Sequence, residues 1–578
     1  MSPVKPTLPL AHGALLLLLA VICGCDFGSD EVMPLVNDCA GEGDCVQGVC
    51  DDGICIDDSS SEVTIAVQVL RGNADIQGQT PAGWTFAPET FSRASERDYT
   101  LPPIRQVVGA VRWQGTPVPA TLRFTRRMGE SVAALSAPPV EVDTVREATE
   151  GDDPSNVDYS TVLVAGQRYD VAVVPSSDVI QSADQTAAAI RSLPPIYTSV
   201  ELDDVIDGAF RFDVRFPDTL DLECAMNQLS GCELRGTVLS CDGQNDTPAV
   251  GLQVRAVEKE SGRVVSSVGE TGQLGEFAIR VSDQAAAYVL LVTAGAGSDP
   301  FPSVSVDLDL VFINDPARRR ILVPRVDPVQ YTGAVRDEEG RGVQGATVRF
   351  SSIEIFEQCE LGLAPTFSTS TTTNEEGSFS LELLPGRYNV IVTPPEDSEN
   401  AWAPVSAEAF VVDELITELE DLVLPSQIAL FGSCKTFNED PASGVTILAR
   451  ARGNVGDLQR SQETVSSQSG TFRMNVDAGR YDMLIKVADV TGFPWLIEPE
   501  LVMSREGGDM MRDYTLPPPI VVRGTVQAAS GAFVGGAPIR AYIFEDDDGE
   551  TRPIQVAETI SADDGSYRLL ISPALDGR

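Results

Sequence analysis

Residues 377–392 read GSFSLELLPGRYNVIV, and residues 470–487 read GTFRMNVDAGRYDMLIKV. In both, a Gly and an aromatic open a run in which apolar and polar residues alternate. A turn follows, and then a Tyr opens a second alternating run. Phe379 to Tyr388 is nine residues, and so is Phe472 to Tyr481. Alternation at period two, bounded by Gly and Pro, predicts paired strands with one buried face. Pro385-Gly386 and Ala478-Gly479 supply the tight turns.

The same phrase returns in weaker form at 275–292 (GEFAIRVSDQAAAYVLLV), at 159–174 (YSTVLVAGQRYDVAVV) and at 565–572, which begins GSYRLLIS. Upstream of each copy lies a Gly-x-Val, a loop, and a Gly or Pro leading another alternating strand, as in TGAVRDEEGRGVQGATVRF at 332–350. The leading glycines are Gly109, Gly236, Gly333, Gly432 and Gly524, spaced by 127, 97, 99 and 92 residues. That period suits one small β-sandwich of about 100 residues. A third phrase closes each unit, as RDYTLPP at 97–103 and again at 512–518, LEDLVLP at 419–425 and RRRILVP at 318–324. The junctions are short, so serial linkage with limited freedom is expected.

The succession G-x-V, G-A-x-V, D-x-x-G-x-F and P-G-x-Y-x-V resembles carboxypeptidase regulatory-like repeats, which are similar to transthyretin-like and Cna B-type sandwiches. The resemblance covers roughly 104–578. It is best at 328–427 and poorest at 104–219, where Val157 stands in place of the Gly before the aromatic. It implies an all-β tandem array of sandwiches without catalytic residues of their own, of the kind found in exported proteins as spacers, adhesion modules or carbohydrate-binding-like folds. The expected units are 104–219, 220–327, 328–427, 428–519 and 520–578. Some Cna B-type domains carry Lys–Asn cross-links. The units at 104–219, 328–427 and 520–578 contain no lysine and cannot form them.

The two ends of the array are incomplete. Residues 63–103 hold only the closing half of a unit, and the last unit reaches Arg578 before any closing strands. Divergence at one end and an early stop at the other is the simple expectation. Completion of one copy's half by another copy's, through strand addition, is the alternative.

Ahead of the array, residues 1–25 read MSPVKPTLPLAHGALLLLLAVICGC. The apolar run from Ala14 to Ile22 is too short for a membrane helix of about 20 residues and fits a secretory signal. Ile22-Cys23-Gly24-Cys25 resembles a bacterial lipobox, with 1–24 as the signal peptide and Cys25 as the residue that carries lipid. The resemblance implies anchorage in the cell envelope, at the outer membrane, the cell surface or a periplasmic face. An ordinary signal peptide with two incidental cysteines is the plainer reading. Residues 25–62 form an acidic, Cys-rich tether with Cys39, Cys45, Cys50 and Cys55. Close spacing and export favour two disulfides of undetermined pairing, and four thiolates on zinc are the rival. Further on, Cys224 and Cys232 flank a junction turn and are a candidate pair. With Cys241, Cys359 and Cys434 they make an odd count.

Composition removes many functions. Of 578 residues, 86 are Asp or Glu and 41 Lys or Arg, for a net charge of −45. Phosphate backbones and acidic lipid surfaces repel such a chain, so nucleic acid is no partner. Its one histidine, His12, lies in the signal segment. Ser-His-Asp catalysis, Cys-His catalysis and histidine metal sites are then absent from the mature chain. No carboxylate pair stands out from the acidic background as glycosidase machinery. The clusters Asp152-Asp153, Asp203-Asp204, Asp546-Asp547-Asp548 and Asp563-Asp564 lack EF-hand spacing and read as solvated surface, with weak calcium binding as the alternative. Neither an enzyme, a cofactor nor a metal is called for.

A large aromatic recurs at one position. Trp402 lies fourteen residues after Tyr388, Trp495 fourteen after Tyr481, and Phe301 thirteen after Tyr288, with Trp84 similarly placed in the half unit. Buried, these rings close the edge of a sandwich; exposed, they stack on sugars. The expected function is therefore a non-catalytic, lipid-anchored rod of β-sandwiches for spacing or for contact with an envelope protein. An array of carbohydrate-binding modules using Trp84, Trp402 and Trp495 on polysaccharide is the alternative.

Overall fold

The computed structural model describes residues 36–573 except 41–44, 46, 58–60, 71–82, 128–138, 145–157, 177–192, 205–207, 225–230, 242–245, 283–286, 296–302, 310–319, 325–328, 357–365, 396–400, 414, 416, 453–457 and 548–549. The expected signal segment, residues 1–24, and Cys25 lie outside these residues, as do Cys359, Phe301 and Asp152-Asp153. No helix among the described residues is long and apolar enough to cross a membrane.

The described chain is all β, and the unit within 328–427 shows the plan. Its seven strands are Val329–Asp337, Thr347–Ile355, Ser368–Thr372, Ser378–Leu383, Gly386–Thr393, Val405–Val412 and Leu422–Leu424. One sheet runs fourth–first–seventh and the other third–second–fifth–sixth. The seventh strand joins the first in parallel, with Val335 opposite Leu422, and every other pairing is antiparallel. Alternation does the sorting. In Ser378–Leu383 every second residue is buried, and Gly386–Thr393 follows the same rhythm. Phe350, Phe379, Leu381, Tyr388, Val390 and Val392 thereby meet between the sheets. Each such side chain contributes about 1.5–3 kcal/mol relative to exposure.

The units within 104–219, 220–327 and 428–519 repeat both sheet orders, each around its own core. The recurrent Tyr is fixed at both ends. Its ring is buried, and its hydroxyl donates to an upstream carbonyl: Tyr388 to Leu384 (2.6 Å), Tyr481 to Asp477 (3.0 Å) and Tyr288 to Ser282 (2.9 Å). The phenol thus satisfies the turn that precedes its strand. The Gly ahead of the recurrent aromatic has a positive φ of 74–77° at Gly275, Gly377, Gly470 and Gly565, which L side chains rarely adopt.

Three of the leading glycines have a different cause. The seventh strand comes alongside the first where the latter ends its pairing with the fourth. A Cβ on Gly109, Gly432 or Gly524 would overlap the carbonyl oxygen of Phe212, Arg512 or Arg97 respectively. The next residue of the closing strand is an Asp that caps this approach. Asp513 Oδ1 accepts from Ser433 N (2.8 Å) and Oγ (2.7 Å), and Asp98 Oδ1 from Thr525 N (2.7 Å) and Oγ1 (2.9 Å). The Gly-x-Val and Arg-Asp-Tyr phrases are thus two sides of one contact.

The two incomplete units prove to be one sandwich. Ile520–Gln527, Pro538–Asp547, Glu550–Ile560 and Ser566–Ile571 are its first four strands. Its fifth is Val63–Val69, its sixth Trp84–Thr85 with Glu89–Phe91, and its seventh Ala94–Glu96 with Tyr99–Thr100. The sheet orders are those of the complete units. Val67 lies opposite Ala541 and Gln68 opposite Arg540, while Val521 to Arg523 pair in parallel with Ala94 to Glu96. Residues 63–101 bring Val63, Ile65, Val67, Val69, Phe91, Tyr99 and Leu101 to a core shared with Ile520, Val522, Ile539, Tyr567 and Leu569. Only the turn between the fourth and fifth strands is interrupted. Each half supplies the strands that the other lacks, and the complement comes from the same chain.

Candidate functional site

The seam where residues 36–103 meet residues 428–571 gathers the features that set this chain apart from a plain tandem array. The Cys-rich segment is part of it. Cys39 bonds to Cys50, and Cys45 to Cys55, across a hairpin that pairs Val49–Asp51 with Ile54–Ile56. Three of the four sulfurs lie close enough together to suggest a metal cluster, but as disulfide sulfurs they are not thiolates for zinc. Too small for a core of its own, the segment borrows two. Cys55 enters the core of the unit within 428–519, with Cys39 and Cys45 packed against it. Ile54 and Ile56 cluster with Val521 and Leu570 of the closing sandwich.

Polar contacts fix its register. Asn37 N donates to Thr491 O (2.7 Å), and Asn37 Nδ2 to Gly492 O (3.0 Å) and Cys55 O (2.9 Å). Asp57 N donates to Pro519 O (2.9 Å), and Arg523 pairs with Asp51. From residue 36 onward the expected tether is a clasp across two sandwiches. In sequence the last unit lies farthest from residues 63–101, whereas the strand pairing joins it to them directly.

Beside the clasp, a buried ion network joins the unit within 428–519 to the closing sandwich. Arg452 Nε meets Asp482 Oδ1 at 2.9 Å, Arg452 also pairs with Glu545, and Arg552 reaches back to Asp482. The Arg452 and Asp482 side chains are 4% and 1% exposed. Arg452 also lies 3.8 Å from Glu500, which Arg480 meets at 3.6 Å, so three cations face three carboxylates and the charges balance, as burial requires. Ile497 of the same unit lies in the closing sandwich's core. Nothing in the alternating pattern singles out Arg452 or Asp482, and sequence reasoning missed both.

Across the seam, Tyr567 Oη donates to Arg97 O (2.6 Å), and its ring lies 5.8 Å from that of Tyr99. Burial pushes both phenols well above their ordinary range. A cleft of about 840 Å³ opens here, bounded by Asp52, Glu96, Asp98, Val490, Arg523 and Arg568 among others. Its charges are mixed, and Arg523 is already engaged by Asp51 and Asp52.

The remaining candidates are dispersed. Cys224 and Cys232 are bonded, with Cα atoms 4.9 Å apart. Cys241 ends the first strand of its unit. Cys434 is a free, buried thiol, pushed up to about 12 chiefly by burial. Asp203 pairs with Arg105, Asp546 and Asp547 lie within a strand, and Asp563-Asp564 form a turn.

The tryptophans sit at successive junctions. Trp84, Trp402 and Trp495 are all half-buried against their own cores. The Arg126 guanidinium covers Trp84 at 4.2 Å, and Lys486 Nζ covers Trp495 at 4.6 Å while the indole donates to Val487 O. Trp402 O accepts from Arg460 of the following unit (2.7 Å). Trp113, which the sequence did not single out, is buried beneath Arg280 of the next unit at 4.8 Å. A ring face occupied by a cation is not open to a sugar; the contacts on Trp84 and Trp113 bridge two units and contribute about 0.5–2 kcal/mol each to the junctions, whereas that on Trp495 lies within one unit.

No protein-family model matches the chain, and no curated protein sequence matches it. Among solved structures, it is similar to a streptococcal ancillary pilin at 11% identity, over 50% of this chain and 99% of that one, with a TM-score of 0.22. It is also similar to the minor pilin of Streptococcus agalactiae (13% identity, 32% and 96% covered, TM-score 0.20) and to a shaft pilin of Lactobacillus rhamnosus GG (15%, 34% and 98%, TM-score 0.16). TM-scores this low do not establish a common architecture.

Proposed function

We propose that this chain is a non-catalytic exported protein, held to a bacterial envelope membrane by lipid on Cys25, whose sandwiches serve spacing and contact with envelope partners. The observation that carries this reading is the clasp. Cys25 precedes the first described residue, Val36, by eleven residues, a reach of at most about 40 Å. From Asn37 the chain is bonded into two sandwiches at once. A pull on the anchor is thereby shared between two cores and an ion network instead of falling on one strand. Acyl chains contribute about 0.8 kcal/mol per buried methylene, so two or more make a durable hold. With a net charge of −45, the displayed surface stays soluble and away from anionic lipid.

The test is metabolic labelling with an alkyne fatty acid in a bacterial host, for the intact chain and for Cys25→Ser. The intact chain takes up label and sediments with membranes, and the variant does neither. Label and sedimentation that survive Cys25→Ser overturn the proposal. A panel of envelope polysaccharides, run with Trp402→Ala and Trp495→Ala, tests the display surface. Saturable binding that either substitution abolishes would replace the spacer reading with the sugar-binding one.

A further inference from the structure

We propose that residues 36–101 act as a donor module that completes the closing sandwich of a second copy of this chain, so that neighbouring copies become linked by strand exchange. Apart from Trp84, which also meets Arg126, the contacts that seat the module are with residues 428–571. These contacts are the clasp on two cores, the Val63–Val69 pairing with Ile539–Tyr542, the parallel pairing along Ile520–Gln527, and Tyr567 to Arg97. A second copy presents the same residues, so exchange costs no contact and creates no new one.

The hinge is already short and stiff. Leu101 is buried in the closing sandwich and donates to Gln527 O (2.7 Å), while Pro103 O accepts from Ala165 N of the next unit (2.9 Å). Pro102 alone separates them. That stiffness keeps the module and the unit within 104–219 together, so the two move as one body when the module leaves its seat. Two disulfides brace the module's own hairpin, so it keeps local structure when it leaves its seat. Trp84 stays with Arg126, since both belong to the donating chain.

The balance between closure and exchange is one of concentration. An intramolecular partner is presented at an effective concentration of about 1 mM, so at micromolar protein the closed chain exceeds the exchanged one by about a thousandfold. Repulsion between chains of net charge −45 adds to this at low salt and fades as the Debye length falls to ~8 Å at physiological ionic strength. Crowding on a membrane moves the balance toward exchange.

The experiment uses two full-length variants, Gln68→Cys and Arg540→Cys, whose positions face each other across the seam. A chain carrying both cysteines must first form the cross-link within itself, which shows that the pair is competent. The single variants are then mixed at 10 μM and at about 1 mM, in 0.02 and 0.15 M salt, and oxidised. The expected result is a disulfide-linked dimer that is scarce at 10 μM, rises roughly in proportion to concentration and is greater at the higher salt. Ala66→Cys with Tyr542→Cys is the second pair, should the first disturb the Gln68 bonds. A competent double variant combined with no mixed dimer at 1 mM overturns the proposal, as does a yield that ignores concentration.

Discussion

Replacing Gly524 by alanine adds a single methyl group, yet the structure gives it nowhere to go. The new Cβ overlaps the carbonyl oxygen of Arg97, lies 2.6 Å from its carbon and 3.1 Å from Asp98 Oδ1. The obstacle is backbone, and it is held on every side. Arg97 N donates to Arg523 O (2.8 Å), Asp98 caps Thr525, and Arg97 O accepts from Tyr567 (2.6 Å). Relief requires the closing strand to withdraw, which removes the phenol bond and the two Asp98 bonds. Each is worth about 0.5–1.5 kcal/mol, and misfit in a packed interior adds about 1–3 kcal/mol. The sum is roughly 2.5–7.5 kcal/mol, or about a hundred- to a few hundred-thousand-fold more opening at 1.36 kcal/mol per decade. Because serial sandwiches unfold on their own terms, the readout is local: hydrogen exchange of peptides covering 63–69, 94–100 and 520–527. Gly507→Ala, where nothing lies within 4 Å of the added carbon, is the control and shifts stability by less than about 0.5 kcal/mol. Unchanged exchange in Gly524→Ala would refute the closing-strand explanation of these three leading glycines.

Other outcomes follow from the same geometry. Arg452→Ala strands Glu545 and half of Asp482's compensation, and is expected to destabilise the junction by about 3 kcal/mol, the low end for breaking a buried pair because Arg552 remains; denaturation monitored by exchange at 479–486 and 550–560 checks it. Trp402→Ala and Trp495→Ala each remove a half-buried ring and should lower local stability by about 2 kcal/mol, less than the 3–5 for a fully buried aromatic; unchanged thermal unfolding would mean the rings are held for something other than packing. Burial raises the phenols of Tyr99, Tyr159, Tyr388, Tyr481, Tyr514 and Tyr567. The fold favours their neutral form, so this stabilisation is complete below the unfolded value of about 10 and is lost as pH climbs above it. Absorbance at 295 nm should therefore rise together with loss of circular dichroism, and a full phenolate signal from folded protein would contradict it.

Much of this architecture was legible because it is local. Phe379 and Tyr388, nine residues apart, announce two strands and the turn between them, and the Gly-x-Val interval sets the size of a sandwich. What lies behind those marks was not legible. Gly524 reads as a strand opener, but its reason is a carbonyl more than four hundred residues away. Residues 63–103 and 520–578 were each recognisable as half a unit, yet their pairing leaves no trace in either half, since no turn joins them to state the register. The clasp was read as a tether because its disulfide-rich stretch has no core, and only the structure shows it sharing those of its neighbours. Cysteine pairing stayed open for a similar reason: four cysteines at close spacing satisfy several connectivities, and folding selects one. Trp84, Trp402 and Trp495 could be located, but not their surroundings, because the cations over Trp84 and Trp495 and the Arg460 bond to Trp402 O come from separate strands or units.

The central claim is that the first half unit and the last are one sandwich. Its most direct test is hydrogen exchange at residues 63–69 and 94–100 in the full chain and in a chain ending at Pro519. With 520–571 present, the amides of Ala66 to Val69 are bonded into the sheet and should exchange slowly. Without them, those amides should exchange at the rate of open chain, while residues 386–393 of the complete unit stay protected. Protection at 63–69 that persists in the shortened chain would contradict the account.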